Sequence, residues 1–165
     1  MPCKICQAQW VWKFTNQRTL CSSCFVKYFE KKVKSTIRKY NMPISKIKGN
    51  SLKANIINNI IKELPERKGK ISEDSLNNLS TNILYIVMHG NINDLKKFIP
   101  KNQPLYFLSD KEILLYAKIK RIKGKLEENK NKKIKEINSF IEKIGQKNPD
   151  IRQNIVQAIL RYSFF

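Results

Sequence analysis

Four cysteines stand near the start of this chain in two Cys-x-x-Cys pairs, Cys3-Lys4-Ile5-Cys6 and Cys21-Ser22-Ser23-Cys24, and they are its only cysteines. Each pair bends the backbone so that two thiolates face one point. Two such bends, fourteen residues apart, complete a tetrahedron around one metal ion, and zinc is the expected ion. A site with four protein ligands keeps no open position, so the predicted zinc holds structure and removes every cysteine from the roster of nucleophiles. Two disulfides in a secreted protein are the lesser alternative. A redox dithiol would need one reactive pair rather than two matched ones.

The remaining side chains of chemical interest are charged. Lys and Arg number 33 against 13 Asp and Glu, for a formal net charge of +20 in 165 residues. Such a chain repels itself unless a polyanion neutralises it, and nucleic acid is the first candidate. A lysine-rich surface shared with the rest of a biased composition is the bland reading of the same count, but acidic residues would then rise together with lysine. The cations concentrate on two stretches. Lys27, Lys31, Lys34, Arg38 and Lys39 fall on one helix, where only Glu30 offsets them; Lys118, Lys120, Arg121, Lys123 and Lys125 open a second basic run. Lys13 and Arg18 lie between the cysteine pairs. These twelve are the predicted RNA contacts. Lysine predominates, which suits phosphate attraction more than base readout.

No segment is apolar for the roughly 18 residues a membrane-spanning helix requires, and Met1-Pro2-Cys3 leads straight into the first knuckle without an export signal. A cytoplasmic protein in a reducing compartment is expected. His89 is the single histidine and is expected to be structural. Glu127-Glu128 read as solvated, and no small-molecule substrate is expected. Trp10, Trp12 and Phe14 alternate along one strand; packing against Phe25 and Phe29 is expected, with base stacking as the functional alternative.

The elements that must position these residues are mostly helical, with a small β zinc ribbon. Trp10–Phe14 and Arg18–Leu20 predict a hairpin turned at Thr15-Asn16-Gln17. Phe25, Phe29, Val33 and Ile37 recur every four residues and predict a long basic helix from about Cys24 to Tyr40, stopped by Pro43. Ser51 predicts an N-cap for a helix carrying Leu52, Ile56, Ile57, Ile60, Ile61 and Leu64. Ser72 is expected to cap a third helix with Glu73 and Asp74 in its first turn and Gly90 at its end, although Ile83–Met88 would also suit a strand. A short helical turn is expected at Asp94–Ile99. Leu105–Leu108 is expected to be extended, followed by a capping box of Ser109 and Glu112. Glu127–Lys133 reads as a loop, and two further helices carry Ile134, Ile137, Ile141, Ile144 and then Ile151, Ile155, Val156, Ile159, Leu160. The aromatic tail Tyr162–Phe165 is expected to pack. The domain division read from this pattern is a zinc ribbon plus basic helix at 1–40, a linker with one helix at 41–71, and a helical C-terminal domain at 72–165.

The front of the chain resembles the N-terminal zinc finger and first helix of the archaeal and eukaryotic tRNA 2-thiolation enzymes (TtuA type), members of the PP-loop superfamily. The residues that carry the likeness are the two Cys-x-x-Cys pairs, Leu20 and Phe25 beside the second, and Tyr28-Phe29-Glu30-x-x-Val33-x-x-Thr36-Ile37-Arg38-Lys39-Tyr40. A looser similarity returns in Asn78–Leu84, His89-Gly90-Asn91, Pro104-Leu105, Asp110–Ile113 and Tyr116-Ala117. Together these cover about 40 residues at the front and roughly 90 at the back. The resemblance implies tRNA as a partner. The family's Ser-Gly-Gly-Lys-Asp-Ser loop has no counterpart after Tyr40, nor do its mid-domain catalytic cysteines or its second zinc finger. The expectation is therefore a non-enzymatic, zinc-containing RNA-binding protein of thiolation-enzyme-like ancestry. Ribosomal RNA and other ribosomal proteins are its expected partners, as a ribosomal component. The alternatives are a tRNA-binding accessory subunit of a tRNA 2-thiolation system and a minimal sulfur-transfer enzyme.

Overall fold

The computed structural model describes residues 2–90, 92–126, 129 and 131–162. Two strands, β1 (Trp12–Lys13) and β2 (Thr19–Leu20), precede six α-helices: α1 (Ser22–Lys39), α2 (Leu52–Ile61), α3 (Leu76–His89), α4 (Asp110–Lys120), α5 (Lys132–Gly145) and α6 (Ile151–Tyr162). A 3-10 helix spans Ile92–Phe98. The strands pair antiparallel, Trp12 opposite Leu20 and Lys13 opposite Thr19. The mostly α class with a small β ribbon is therefore correct.

The ribbon is held by contacts the hairpin alone would lack. The Thr19 hydroxyl donates to the Pro2 carbonyl (2.7 Å), and the Lys4 amide donates to the Thr19 carbonyl (3.0 Å). Helix α1 follows from the second knuckle. Phe25, Phe29, Val33 and Ile37 line one stripe and are all fully buried. Arg38 and Lys39 occupy the last turn, where the helix dipole favours cations. The helix ends before Pro43. Asn41 adopts a left-handed φ of 47°, its amide reaches the Arg38 carbonyl (3.2 Å), and the Met42 amide reaches the Ile37 carbonyl (3.0 Å). This is a Schellman turn, and it satisfies two carbonyls that the proline merely follows.

Two buried clusters organise the rest. The first joins the ribbon, α1, α2 and α4 and contains Leu20, Phe25, Phe29, Ile37, Leu52, Ile56, Ile57, Ile113 and Tyr116 among others. The second joins α3 and α6 through Leu76, Leu79, Ile83, Val156 and Ile159, with Tyr106. Packing thus places α2, from the 41–71 stretch, and α4, from the 72–165 stretch, beside α1. Ser51 caps α2 as expected, its oxygen accepting from the Ala54 amide (3.0 Å).

Two local expectations are corrected, and one alternative falls away. Ser75, not Ser72, precedes α3. Ser72 instead donates to Asp74 (2.6 Å) in a turn of its own, which keeps Glu73 and Asp74 outside the helix. Ile83–Met88 is helical throughout, and the strand alternative is not adopted. The Leu105–Leu108 stretch is folded into turns, with the Tyr106 amide on the Gln103 carbonyl (3.1 Å) and the Leu108 amide on the Leu105 carbonyl (2.9 Å). Its apolar residues face two cores at once: Leu105 and Leu108 enter the first cluster, Tyr106 the second. The capping box on α4 is present as predicted. The expected centre of the loop at 127–128 and the tail at 163–165 lie outside the described residues.

After α4, residues 123–125 strap across the start of α2. The Leu52 amide donates to the Lys125 carbonyl (3.1 Å) and the Asn55 side-chain amide to the Lys123 carbonyl (2.9 Å). Gly124 lies between them at φ +150°, where an added Cβ would stand 2.6 Å from Leu52 Cα. Gly124→Ala is therefore expected to destabilise the fold by about 1–3 kcal/mol, measured as a shift in the urea midpoint, whereas Gly49→Ala, where a Cβ meets nothing within 4 Å, carries only the strain of its positive φ.

Candidate metal centre and nucleic-acid interface

The four cysteines converge as the spacing predicts. In the first knuckle the Cys3 amide donates to the Ala8 carbonyl (2.8 Å), and the Gln7 amide donates back to the Cys3 carbonyl (3.0 Å), with Gln7 at a left-handed φ of 62°. The second knuckle is the first turn of α1 itself, closed by the Phe25 amide on the Cys21 carbonyl (2.8 Å). All four Sγ atoms lie within 4.8 Å of one another, with Cys6 Sγ 3.4 Å from Cys21 and 3.7 Å from Cys24. Thiolates at about 2.3 Å around one tetrahedral ion stand about 3.8 Å apart, so the set fits a single ion. A cubane cluster puts each thiolate on a different iron and needs a wider set. Cys3, Cys21 and Cys24 are buried; Cys6 is exposed.

The thiols also show why a cation belongs there. The Ser23 hydroxyl first, then the Cys24 amide and Cys6, lower the Cys21 thiol to about 6. Burial first, and then the neighbouring sulfurs, push Cys24 up to about 12. Without a cation the sulfurs cannot all ionise together; a dication among them lets all four become ligands.

The predicted basic residues separate into groups. Lys27, Lys31, Lys34, Arg38 and Lys39 line one broad open surface along α1, together with Ser35 and Glu30. Lys120 joins this face from α4, its Nζ 3.8 Å from Glu30. Lys34 also reaches Glu63 (3.2 Å). Lys13 and Arg18 are exposed on the ribbon, on either side of the hairpin turn. Lys123 and Lys125 sit on the strap over α2 and are exposed, as are Lys118 and Arg121 at the end of α4. The structure brings the α1 group and Lys120 together and leaves Lys123 and Lys125 with α2.

The mutual placement of α1 and α4 rests on two reciprocal pairs. Tyr28 of α1 donates to Glu112 of α4 (3.1 Å), while Tyr116 of α4 donates to Glu30 of α1 (2.8 Å). Lys32 adds a bond to the Tyr28 hydroxyl (2.8 Å) and lies 3.7 Å from Glu112. The Tyr116 ring stacks on Phe29 at 4.2 Å. Glu30 is thus a carboxylate engaged from behind by Tyr116 and Lys120, which reduces its opposition to the cations around it. Periodicity had no means of showing these pairs, since partners 84 and 86 residues apart leave no local pattern.

Two buried cations were likewise invisible in the sequence. Lys53, only 6% exposed, donates to Ser75 and Asn78 (both 2.9 Å) and pairs with Asp110 (3.2 Å), tying α2 to α3 and α4. Arg152 of α6 donates to Ser80 (3.0 Å), Thr81 (3.3 Å) and Asn138 (2.7 Å). Both are satisfied structural groups. His89, the last residue of α3, is exposed and stacks on Tyr85 at 5.2 Å. Trp12 packs on Phe25 (5.5 Å) and Phe14 on Tyr28 (5.0 Å), so the packing expectation describes these two rings. Trp10 is 41% exposed. No helix among the described residues is long and apolar enough to cross a membrane.

No family model matches the chain, and no curated protein sequence matches it. Among solved structures, the fold is similar to the U34-tRNA thiolase NcsA from Methanococcus maripaludis with its 4Fe-4S cluster: TM-score 0.77 at 13% identity, covering 98% of this chain and 87% of that one. The likeness therefore extends across 41–71, where the sequence offered no resemblance. It overturns the expectation of a ribosomal, rRNA-binding component: nearly the whole chain shares its fold with a tRNA-modifying enzyme.

Two outcomes are expected from this geometry. Burial first, then the facing carboxylates, raise the Tyr28 and Tyr116 phenols well above the ordinary tyrosine value. Folded pKa values above unfolded ones contribute stability that is complete below about pH 10 and lost as pH rises beyond it; the urea midpoint should fall there, and less steeply in Tyr28→Phe. Metal content should be one ion per chain, with the four thiols unreactive to a thiol reagent until a chelator is added, and Cys21→Ser should lose the ion together with much of the α1 helicity.

Proposed function

We propose that this chain is a non-catalytic tRNA-binding protein of a tRNA 2-thiolation system, built around one structural zinc on Cys3, Cys6, Cys21 and Cys24. The observation that carries this reading is the exposed face of α1. Five cations and Lys120 share it with two carboxylates, Glu30, already engaged by Tyr116, and Glu63, which pairs with Lys34, on a fold similar to that of a U34-tRNA thiolase. Lys27, Lys31, Lys34 and Arg38 recur at three- and four-residue steps, so their Cβ atoms follow one side of the helix about 5–6 Å apart. That row suits a run of phosphates on a folded RNA, and lysine reads charge rather than base identity. Zinc fits the compact four-sulfur set, and with every thiol a ligand none is left to carry sulfur. The chain's contribution would be to hold tRNA for a separate enzyme that activates the thiolation site.

Binding of bulk tRNA, followed by filter retention across a salt series, tests this. At least four phosphate contacts predict a slope of log K against log salt of about −3 or steeper. Changing Lys27, Lys31, Lys34 and Arg38 to Glu should abolish retention while the zinc content stays at one per chain. Retention unaltered by the four substitutions, or a shallow slope in the parent protein, would defeat the reading. Release of zinc during turnover with a sulfur donor would favour the sulfur-transfer alternative instead.

A further inference from the structure

The ribbon exposes apolar side chains that its own fold does not use. Trp12 and Phe14 turn inward onto α1, but Trp10 is 41% exposed and has no ring partner among the described residues. Beside it in sequence Val11 is 39% exposed, and Ile5, inside the first knuckle, is 58% exposed. The knuckle requires only cysteines at its ends and a turn between them, so nothing in metal binding calls for isoleucine at its tip. A small ribbon in a chain of charge +20 gains nothing in solubility from three such side chains. The same ribbon carries cations, and Lys4, Lys13 and Arg18 are all exposed. The occupant that this combination suits is polyanionic and carries flat apolar groups of its own. RNA answers to both, because an unstacked base presents a π-face between phosphates. A lipid surface would want a broader apolar face with its cations on the opposite side.

We infer that Trp10, on a ribbon that also exposes Ile5 and Val11, is a stacking platform for an unpaired base of the bound RNA. This rests on the RNA-binding reading above and refines it: α1 grips backbone, and the ribbon selects a segment whose bases are free. The two surfaces move as one piece, since Trp12 on Phe25 and Phe14 on Tyr28 fasten the hairpin to α1. The arrangement distinguishes loops from stems. A base inside a duplex has no free face to offer Trp10, so a paired RNA would engage α1 alone.

The test uses the full zinc-loaded chain with two probes, a stem–loop RNA and a blunt duplex carrying the same number of phosphates. The parent protein should bind the stem–loop more tightly and show quenched tryptophan emission with it, and that quenching should be absent in Trp10→Phe, in which Trp12 is the remaining tryptophan. Trp10→Ala should weaken stem–loop binding by about five- to a hundredfold, the range that loss of one stacked base implies. Its duplex affinity, salt slope and zinc content should be unchanged. Trp10→Phe should restore most of the lost affinity, because a phenyl ring also stacks. Equal affinity of Trp10→Ala and parent for the stem–loop, with the steep salt slope intact, would overturn the platform and leave the phosphate-binding reading standing. Binding of neither RNA by the parent would overturn both. Emission changes on anionic vesicles but not on either RNA would assign the patch to lipid and overturn it as well.

Discussion

Four sulfurs within 4.8 Å of one another cannot all carry negative charge unless a cation stands among them, and the architecture of this protein follows from that constraint. The second knuckle is the first turn of α1, so whatever fixes the sulfurs also fixes where the longest helix begins and how it is rotated. The first knuckle precedes β1 at the same open end of the hairpin, and joining the two orients the ribbon over the same helix. A segment of about 24 residues has too little apolar surface to fold unaided; here it borrows its order from the metal and transmits it along α1.

Helix α1 then works on two faces. Its stripe of Phe25, Phe29, Val33 and Ile37 is sealed against α2 and α4, which obliges the intervening lysines to face solvent. The cationic surface is thus a by-product of amphipathicity made specific by its surroundings. The crossed tyrosine–glutamate pairs dispose of acidic groups that would otherwise compete for the same cations. Glu112 lies against Tyr28 and Lys32, and Glu30 against Tyr116. Buried hydrogen bonds to carboxylates are stronger than neutral ones, so this disposal also clamps the two helices that frame the surface.

Most local signals were legible. The knuckle spacing, the four-residue apolar period of α1, the cap at Ser51 and the box at Ser109 and Glu112 each depend on residues within one or two turns, and each appears where it was read. What failed to show depended on local competition or on distant partners. Ser72 has the chemistry of a cap, but Asp74 two residues on competes for its hydroxyl, and Ser75 takes the position before α3. Leu105–Leu108 has the composition of a strand but no neighbouring strand to pair with among the described residues, so its amides close on its own carbonyls. Lys53 reads as a surface lysine between Leu52 and Ala54; only the fold brings Asp110, Ser75 and Asn78 around it. Charge density along the sequence does not tell the α1 group from Lys123 and Lys125, which the Gly124 strap carries to the start of α2.

The turn at Leu105–Leu108 has a consequence for how this chain can be divided. Its alternate side chains serve as wall for two separate interiors, Leu105 and Leu108 for one and Tyr106 for the other, while the Tyr106 hydroxyl reaches back to the Phe98 carbonyl (2.6 Å). Neither interior is complete without that turn, so the molecule has no seam at which it separates into exchangeable modules. A cut placed ahead of α3 would strip the first interior of α4 as well as of the turn. Even the stretch 65–70, which adds no side chain to either interior, is stitched to the fold through its backbone: Ile44 and Arg67 exchange two amide–carbonyl bonds (2.8 and 2.9 Å), and the Gly69 carbonyl accepts from the Ser45 hydroxyl (2.6 Å).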